Sequence, residues 1–263
     1  MTDGFADDLA LVLDAAREAG ALALRLRDQG LRVDFKEGDS PVTNADLAAD
    51  ALLKERLRTA RPDYGWLSEE TVDDPARLSA RRLFVVDPID GTRSFAAGEA
   101  YWTVCIAVVE GERPMAGVVF APQLAETYAA VAGGGATLNG RRIEASGTHD
   151  LAGCEMIAHP KMFSLGDWPE PWPKMVIARR NSTAYRLCLV ASGAADATVT
   201  FAAKHDWDLA AADLIASEAG AYVGDHIGQP FAYNRAVPVQ RSLVCAAPTL
   251  APLILERVRH IAL

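Results

Sequence analysis

Two carboxylates close the apolar run Leu83-Phe84-Val85-Val86-Asp87-Pro88-Ile89-Asp90-Gly91-Thr92-Arg93-Ser94-Phe95. A buried strand over Leu83 to Val86 delivers Asp87, and Pro88 stiffens a turn that points Asp90 back beside it. Paired carboxylates on one tight turn make a pocket for hard divalent cations, which take oxygen ligands. Gly91 and Thr92 follow where a helix is expected to begin, so their backbone N–H groups offer an anion site next to the cations. The same residues also fit an ordinary strand, turn and helix with Thr92 as the N-cap.

Three further acidic segments invite the same double reading. Ser68-Glu69-Glu70 follows a strand-like Tyr64 to Leu67 and reads either as a ligand pair or as solvated loop charge. Asp46 in Thr43-Asn44-Ala45-Asp46 fits a capping box, in which its side chain reaches back to the cap N–H. Asp208 lies in Asp206-Trp207-Asp208-Leu209-Ala210-Ala211-Ala212, where acids open an alanine-rich helix and complement its dipole, while the alanines permit close packing. No nucleophile of comparable specificity stands beside these acids. His149, His159, His205, His226 and His260 sit in dissimilar contexts that suit surface or packing roles. Cys105, Cys154, Cys188 and Cys245 are scattered through mostly apolar segments without a C-x-x-C pair, as expected of reduced, buried thiols.

The elements that must hold these groups are legible from periodicity. Phe5, Leu9, Val12, Leu13, Ala16, Ala19, Ala23 and Leu26 recur at helical spacing, and Gly30 stops the pattern. After a loop containing Gly38 and Pro41, a second helix is expected from Asn44 to Ala60, ended by Pro62. Strands are expected at Leu83 to Val86, Thr103 to Val109, Ala116 to Phe120 and Glu126 to Val131, divided by turns at Gly111-Glu112 and Pro122-Gln123 and followed by a Gly133-Gly134-Gly135 turn. Helices around Ser182 to Ala191 and Trp207 to Ala219, strands at Ala197 to Phe201 and Leu243 to Ala246, and a terminal helix complete an α/β or α+β pattern of helices layered on sheets. A chain of 263 residues, half of them apolar, supplies one sizeable core or two lobes with a continuous interface.

The formal net charge of −9 excludes a nucleic-acid backbone as the main partner, since such binding needs clustered Lys and Arg. No apolar run is long enough for a membrane helix, and the opening residues are acidic where a signal peptide is basic, so a cytoplasmic protein is expected. A chain this acidic can handle a phosphate only by neutralising it locally, through metal ions or helix N-termini.

Read together and in order, S-P-V-T-N-A-D before a helix, L-S-E-E, V-V-D-P-I-D-G-T-R-S-F and W-D-L-A-A-A-D-L-I-A-S-E-A-G-A span nearly the whole chain. On these motifs the sequence resembles the inositol monophosphatase superfamily, which includes 3'(2'),5'-bisphosphate nucleotidases and some fructose-1,6-bisphosphatases. The resemblance implies a layered αβαβα sandwich and a single catalytic domain over residues 1–263, with a metal-binding lobe over about 1–145 and a substrate lobe over 146–263. It implies a magnesium-dependent phosphomonoesterase acting on a small phosphorylated metabolite, often as a homodimer. Glu69, Asp87 and the carbonyl of Ile89 would hold one Mg2+, and Asp87, Asp90 and Asp208 a second, with Glu69 touching a third, weaker ion. Asp46 and Thr92 would position and deprotonate the attacking water, while the amides of Gly91 and Thr92 contact phosphate. Glu70 would support the ligands from behind, and Lys36 matches a basic residue on a loop that approaches the metals.

Substrate choice is implied more coarsely. Ser182, Thr183 and Ala184 match a helix start that contacts substrate in the family, where inositol phosphatases carry a Glu shortly before the W-D motif. Here Thr198 to Lys204 holds no acid, the corresponding position falling near Thr200 or Phe201. Lys204-His205-Asp206-Trp207-Asp208 instead looks like the K-x-x-W-D of some bacterial bisphosphate nucleotidases, with Lys204 meeting a second phosphate and Phe201 either flanking a base or packing in the core. Hence 3'-phosphoadenosine 5'-phosphate is favoured over inositol 1-phosphate, with histidinol phosphate more distant. A non-catalytic regulator with the same fold is the reading from another class, and the retention of Asp46, Thr92 and Asp208 together opposes it.

Overall fold

The computed structural model of the protein describes residues 3–36, 38, 40–164, 168 and 170–263. Helix α1 (Asp3–Gln29) leads through an antiparallel hairpin of β1 (Val33–Phe35) and β2 (Pro41–Thr43) into α2 (Asn44–Ala60). Seven strands then form one sheet in chain order: β3 (Gly65–Ser68), β4 (Arg82–Asp90), β5 (Thr103–Glu110), β6 (Arg113–Ala121), β7 (Glu126–Val131), β8 (Gly135–Leu138) and β9 (Arg141–Ile143). The short α3 (Thr92–Ala96) leaves the end of β4, and β3 alone runs parallel to its neighbour. Downstream come β10 (Glu155–Ile157), α4 (Lys161–Ser164), β11 (Val176–Ala178), α5 (Thr183–Ala191), β12 (Ala197–Thr200), β13 (Lys204–His205), α6 (Asp206–Glu218), β14 (Tyr222–Gly224), β15 (Val239–Gln240), β16 (Leu243–Ala246) and α7 (Ala251–Val258). They build a second sheet in the order β11-β10-β12-β16-β14, with β13 and β15 paired as a separate ribbon.

Period-two alternation along apolar strands decides how these elements stack. In β4, Phe84 and Val86 pack with α1 and α2, while Leu83 and Val85 face α5 and α6. In β5, Val104, Ile106 and Val108 likewise serve the first core, and Cys105, Ala107 and Val109 the second. The second sheet repeats the device. Leu243 and Cys245 of β16 join the α5 and α6 core, and Val244 and Ala246 pack under α7 with Leu250, Ile254 and Val258. Helices α5 and α6 are therefore covered on both sides, which is why Ala184 to Ala191 and Leu209 to Ala216 are apolar nearly all round. The layers run helix, sheet, helix, sheet, helix, as the motifs implied.

Small residues set the spacing between layers. A Cβ added at Gly117 in β6 would stand 3.1 Å from Ala211 Cα and 3.2 Å from the Ala211 carbonyl oxygen, so α6 lies directly on the sheet backbone at Ala211. On the opposite face a Cβ at Gly20 of α1 would come within 2.8 Å of the Phe120 ring.

Two local expectations are corrected. The stretch around Gly38 and Pro41 is a hairpin, because Val33 and Phe35 find pairing partners in Thr43 and Pro41. The turn foreseen after Val86 is instead a continuation of β4 to Asp90. The four cysteines are free and buried, and no helix among the described residues is long and apolar enough to cross a membrane.

The Gly117 contact makes a prediction about the α6 layer. Gly117→Val should destabilise the chain by about 1–3 kcal/mol, the range for overpacking, because the added atoms meet backbone rather than a movable side chain. The check is the urea midpoint, and a midpoint equal to that of the unsubstituted protein would show that α6 is not seated on this glycine.

Candidate active site

In a regular strand, positions 87 and 90 project from opposite faces. The register across β4 and β5 removes that conflict: Asp87 pairs with Cys105 and Asp90 with Thr103, so three residue steps on one strand oppose two on the other. This one-residue β-bulge restores parity and brings Asp90 to the face of Asp87, Val85 and Leu83, while Ile89 stays in the opposite core. Pro88, without an N–H, occupies the bulge, where no ladder bond is required of it. Asp208 approaches from the first turn of α6, and one oxygen from each of Asp87, Asp90 and Asp208 lies within 4.8 Å of the others.

The surrounding backbone orients these carboxylates. Asp90 Oδ2 accepts hydrogen bonds from Ser182 Oγ at 2.6 Å and the Ala184 N–H at 2.7 Å. Asp208 Oδ2 accepts from the His205 N–H at 2.9 Å, and Asp87 Oδ1 from the Ile89 N–H at 3.0 Å. Asp87 Oδ2 is buried with no partner among the described residues. Burial raises the pKa of Asp87 well above the usual carboxylate range, and the charges of Glu69, Asp90 and Asp208 raise it further. Burial also raises Asp90, with Asp208 adding to it, and raises Asp208 against the pull of the Lys204 ammonium. An orphaned carboxylate oxygen facing other acids fits a hard cation, which would take up the free lone pairs and turn repulsion into attraction.

Glu69 and Glu70 are not solvated loop charge. The Glu69 N–H donates to the Val86 carbonyl at 3.2 Å, extending the parallel β3 and β4 pairing, so Glu69 leaves the sheet beside Asp87. Lys36, at the β1 end of the hairpin, bonds Glu69 Oε1 at 3.1 Å and Glu70 Oε1 at 2.6 Å. Burial raises Glu69 against the pull of Lys36, and pushes Glu70 up to about 7. Burial pulls the Lys36 ammonium down, yet the two glutamates hold its pKa above the ordinary lysine value.

Asp46 answers to both of its readings at once. Its Oδ2 accepts from the Thr43 N–H at 2.8 Å and from Thr43 Oγ1, closing the capping box of α2. Its Oδ1 lies 3.0 Å from Thr92 Oγ1, which also reaches the Ile89 carbonyl at 3.1 Å. Burial raises the Asp46 pKa, opposed by these hydroxyl and amide bonds. Thr92 is not the cap of α3. Gly91 takes that place with φ 97°, a left-handed conformation suited to glycine, and a Cβ there would stand 3.1 Å from the Tyr101 carbonyl oxygen.

The structure thus links Lys36, Asp46, Glu69, Glu70, Asp87, Ile89, Asp90, Thr92 and Asp208 through hydrogen bonds and mutual charge, with Gly91 between Asp90 and Thr92 and with Ser182 and Ala184 bound to Asp90. Thr183 is buried and its hydroxyl accepts from Arg186 at 3.0 Å. Phe201 stands apart in the third core, its ring 6.2 Å from both Trp168 and His226, which removes it as a wall for a base. Sequence reasoning overlooked Asp50 and Arg186. Asp50 has a signal in hindsight, one helical turn beyond Asp46 on the same face.

Known proteins carry the same organisation. Residues 7–263 match the model of the inositol monophosphatase family. Nus factor SuhB of Pasteurella multocida is 31% identical over 95% of this chain and 95% of its own length. The 3'(2'),5'-bisphosphate nucleotidase CysQ of Salmonella typhimurium is 34% identical over 85% and 92%, and a histidinol-phosphatase of Chlorobaculum parvum is 35% identical over 84% and 87%. An IMPase structure from Thermotoga maritima superposes with a TM-score of 0.84 at 28% identity, covering 97% of each chain.

The repulsion at Asp87 sets a stability test. Without metal, Asp87→Asn should melt at or above the temperature of the unsubstituted chain, because it removes a buried charge from an acid cluster. Added Mg2+ should raise the Tm of the unsubstituted chain and not that of the variant. Equal Mg2+-induced shifts in thermal melts of both would remove Asp87 from the ligand set.

Proposed function

Because the chain belongs to the inositol monophosphatase family and is a metal-dependent phosphomonoesterase, we propose that it uses two or three Mg2+ ions and hydrolyses a 3',5'-bisphosphorylated nucleoside of the 3'-phosphoadenosine 5'-phosphate type. The observation that carries the substrate reading is the pair of cations beside Asp90 and Asp208. Lys204 acts electrostatically on both acids without a side-chain hydrogen bond or close ion pair among the described residues. Burial lowers the Arg186 guanidinium pKa against the pull of the same two acids, and its Nε is buried without a hydrogen-bond partner among the described residues. Two cations with no close carboxylate pair among the described residues suit a second phosphate, and the segment 198–204 lacks an acid to hold sugar hydroxyls. The relatives named as CysQ bisphosphate nucleotidases support the same choice. The regulatory reading, prompted by relatives named SuhB, is disfavoured by the complete acid set.

In this reading Glu69, Asp87, Asp90, Asp208 and the Ile89 carbonyl hold the ions. Bound Mg2+ neutralises phosphate charge, lowers the pKa of water and stabilises the leaving oxygen. The chain's own groups supply orientation and proton transfer. Thr92 Oγ1, anchored on Asp46 Oδ1, orients the attacking water, and Asp46, made more basic by burial, takes the proton. The amides of Gly91 and Thr92 at the start of α3 receive the phosphate.

Two outcomes follow for kinetics. Thr92→Ala and Asp46→Asn should each lower kcat by roughly 10²–10⁴-fold with little change in KM, the scale of positioned acid–base groups. Because the amide oxygen of Asn can still accept from the Thr43 N–H in the capping box, Asp46→Asn should keep its Tm, and near-normal turnover in that variant would leave Asp46 with the capping box alone.

For specificity, Mg2+-dependent phosphate release should show a higher kcat/KM for 3'-phosphoadenosine 5'-phosphate than for inositol 1-phosphate. Lys204→Ala should penalise the bisphosphate more than adenosine 3'-monophosphate, by about 1.5–3 kcal/mol, one charge-assisted hydrogen bond. Equal losses on both, or a preference for inositol 1-phosphate, would return the assignment to an inositol monophosphatase.

A further inference from the structure

Asp50 lies one turn beyond Asp46 on α2 and is nearly as buried, at 7% exposure against 0%. It forms no ion pair among the described residues. Instead both its oxygens accept from hydroxyls that bracket the two glutamates. Ser68 Oγ donates to Oδ1 at 2.5 Å, and Thr71 Oγ1 donates to Oδ2 at 2.6 Å. Ser68 immediately precedes Glu69, and Thr71 immediately follows Glu70.

This arrangement matters because the sheet releases the chain at that point. The bond from the Glu69 N–H to the Val86 carbonyl is the last ladder contact of β3, and beyond it, among the described residues, side-chain bonds hold the segment. Hydroxyl-to-carboxylate bonds of this length are strong and directional. Two of them converging on one buried carboxylate hold both ends of a four-residue arch whose middle carries Glu69 and Glu70. The Glu70 N–H also approaches Ser68 Oγ at 3.5 Å, folding the arch onto the same hydroxyl.

Helix geometry supplies the coupling. Asp46 and Asp50 are four residues apart, so they project from one face of α2 toward neighbouring parts of the site. Asp46 reaches Thr92 at the start of α3, and Asp50 reaches the arch after β3. One rigid turn of α2 thereby sets the water-orienting pair and the Glu69 carboxylate relative to each other. We infer that Asp50 is a positioning residue for cation binding: it holds Glu69 in place beside Asp87 and registers it to Asp46 and Thr92. The inference rests on the phosphatase reading, since it assigns Asp50 a role through the ligand Glu69.

The test uses the full-length chain with Asp50→Ala, Ser68→Ala and Thr71→Val, and measures Mg2+ affinity by calorimetry on metal-free protein alongside the Mg2+ dependence of phosphate release. Loss of a group that orients a metal ligand costs about 10–100-fold in metal affinity. Asp50→Ala should weaken Mg2+ by that factor, Ser68→Ala and Thr71→Val by part of it, and saturating Mg2+ should restore kcat with an unchanged KM for the phosphate ester. Leu57→Ala, a buried change at the far end of α2, lowers Tm and should leave Mg2+ affinity untouched, which separates positioning from general destabilisation. Unchanged Mg2+ affinity in folded Asp50→Ala and Ser68→Ala, with normal binding by the unsubstituted chain, would overturn the inference alone. An unsubstituted chain with no Mg2+ affinity would overturn the phosphatase reading and this inference with it.

Discussion

Glu69, Asp87, Asp90 and Asp208 repel one another within one cluster, and much of the surrounding structure exists to hold them there. Two like charges 4 Å apart oppose each other by about 4 kcal/mol at the effective dielectric of a protein surface. The chain offsets this with donors whose positions are fixed by backbone. The Ser182 hydroxyl and Ala184 amide hold Asp90, the His205 amide holds Asp208, and the Ile89 amide holds Asp87. Cations stand at the edges: Lys36 on the glutamates, Lys204 and Arg186 near Asp90 and Asp208. Without those donors the acids would swing apart, and the cluster would lose the close geometry that a shared cation would need.

Structural and chemical roles coincide on single residues here. Asp46 closes a helix cap with one oxygen and meets Thr92 with the other. Asp208 satisfies an amide at the start of α6 and also completes the acid cluster. A rule that sorts acids into caps and ligands therefore misreads both. The geometry needs each acid rigid, and capping is an inexpensive way to make a carboxylate rigid.

What sequence could reveal depended on the range of the determining contact. Helix α2 runs from Asn44 to Ala60 as read from the Thr43 cap and Pro62, and β7 runs from Glu126 to Val131, because each boundary is set by neighbours in the chain. The acid motifs were legible for the same reason. Strands β8 to β11 and β13 to β15 were not foreseen: they are two to four residues long and owe their conformation to partners. The bulge after Asp87 is invisible without the β5 register, and Ser182 meets Asp90 across 92 residues. Phe201, with a pattern equally suited to a ligand wall, was decided by Trp168 and His226, which no local rule brings to it.

The carriage of Asp208 on α6 also has a consequence for biosynthesis. Asp90 precedes Asp208 by 118 residues, the difference of the two positions, so the site cannot be completed while that stretch is unmade. At cellular synthesis rates of 5–20 residues per second, roughly 6–24 s separate translation of the two acids. During that interval the nascent polypeptide already holds Asp87 and Asp90, but not the Ser182 and Ala184 donors for most of it. The acid cluster therefore comes together only after synthesis has passed residue 208, well after its first two members exist.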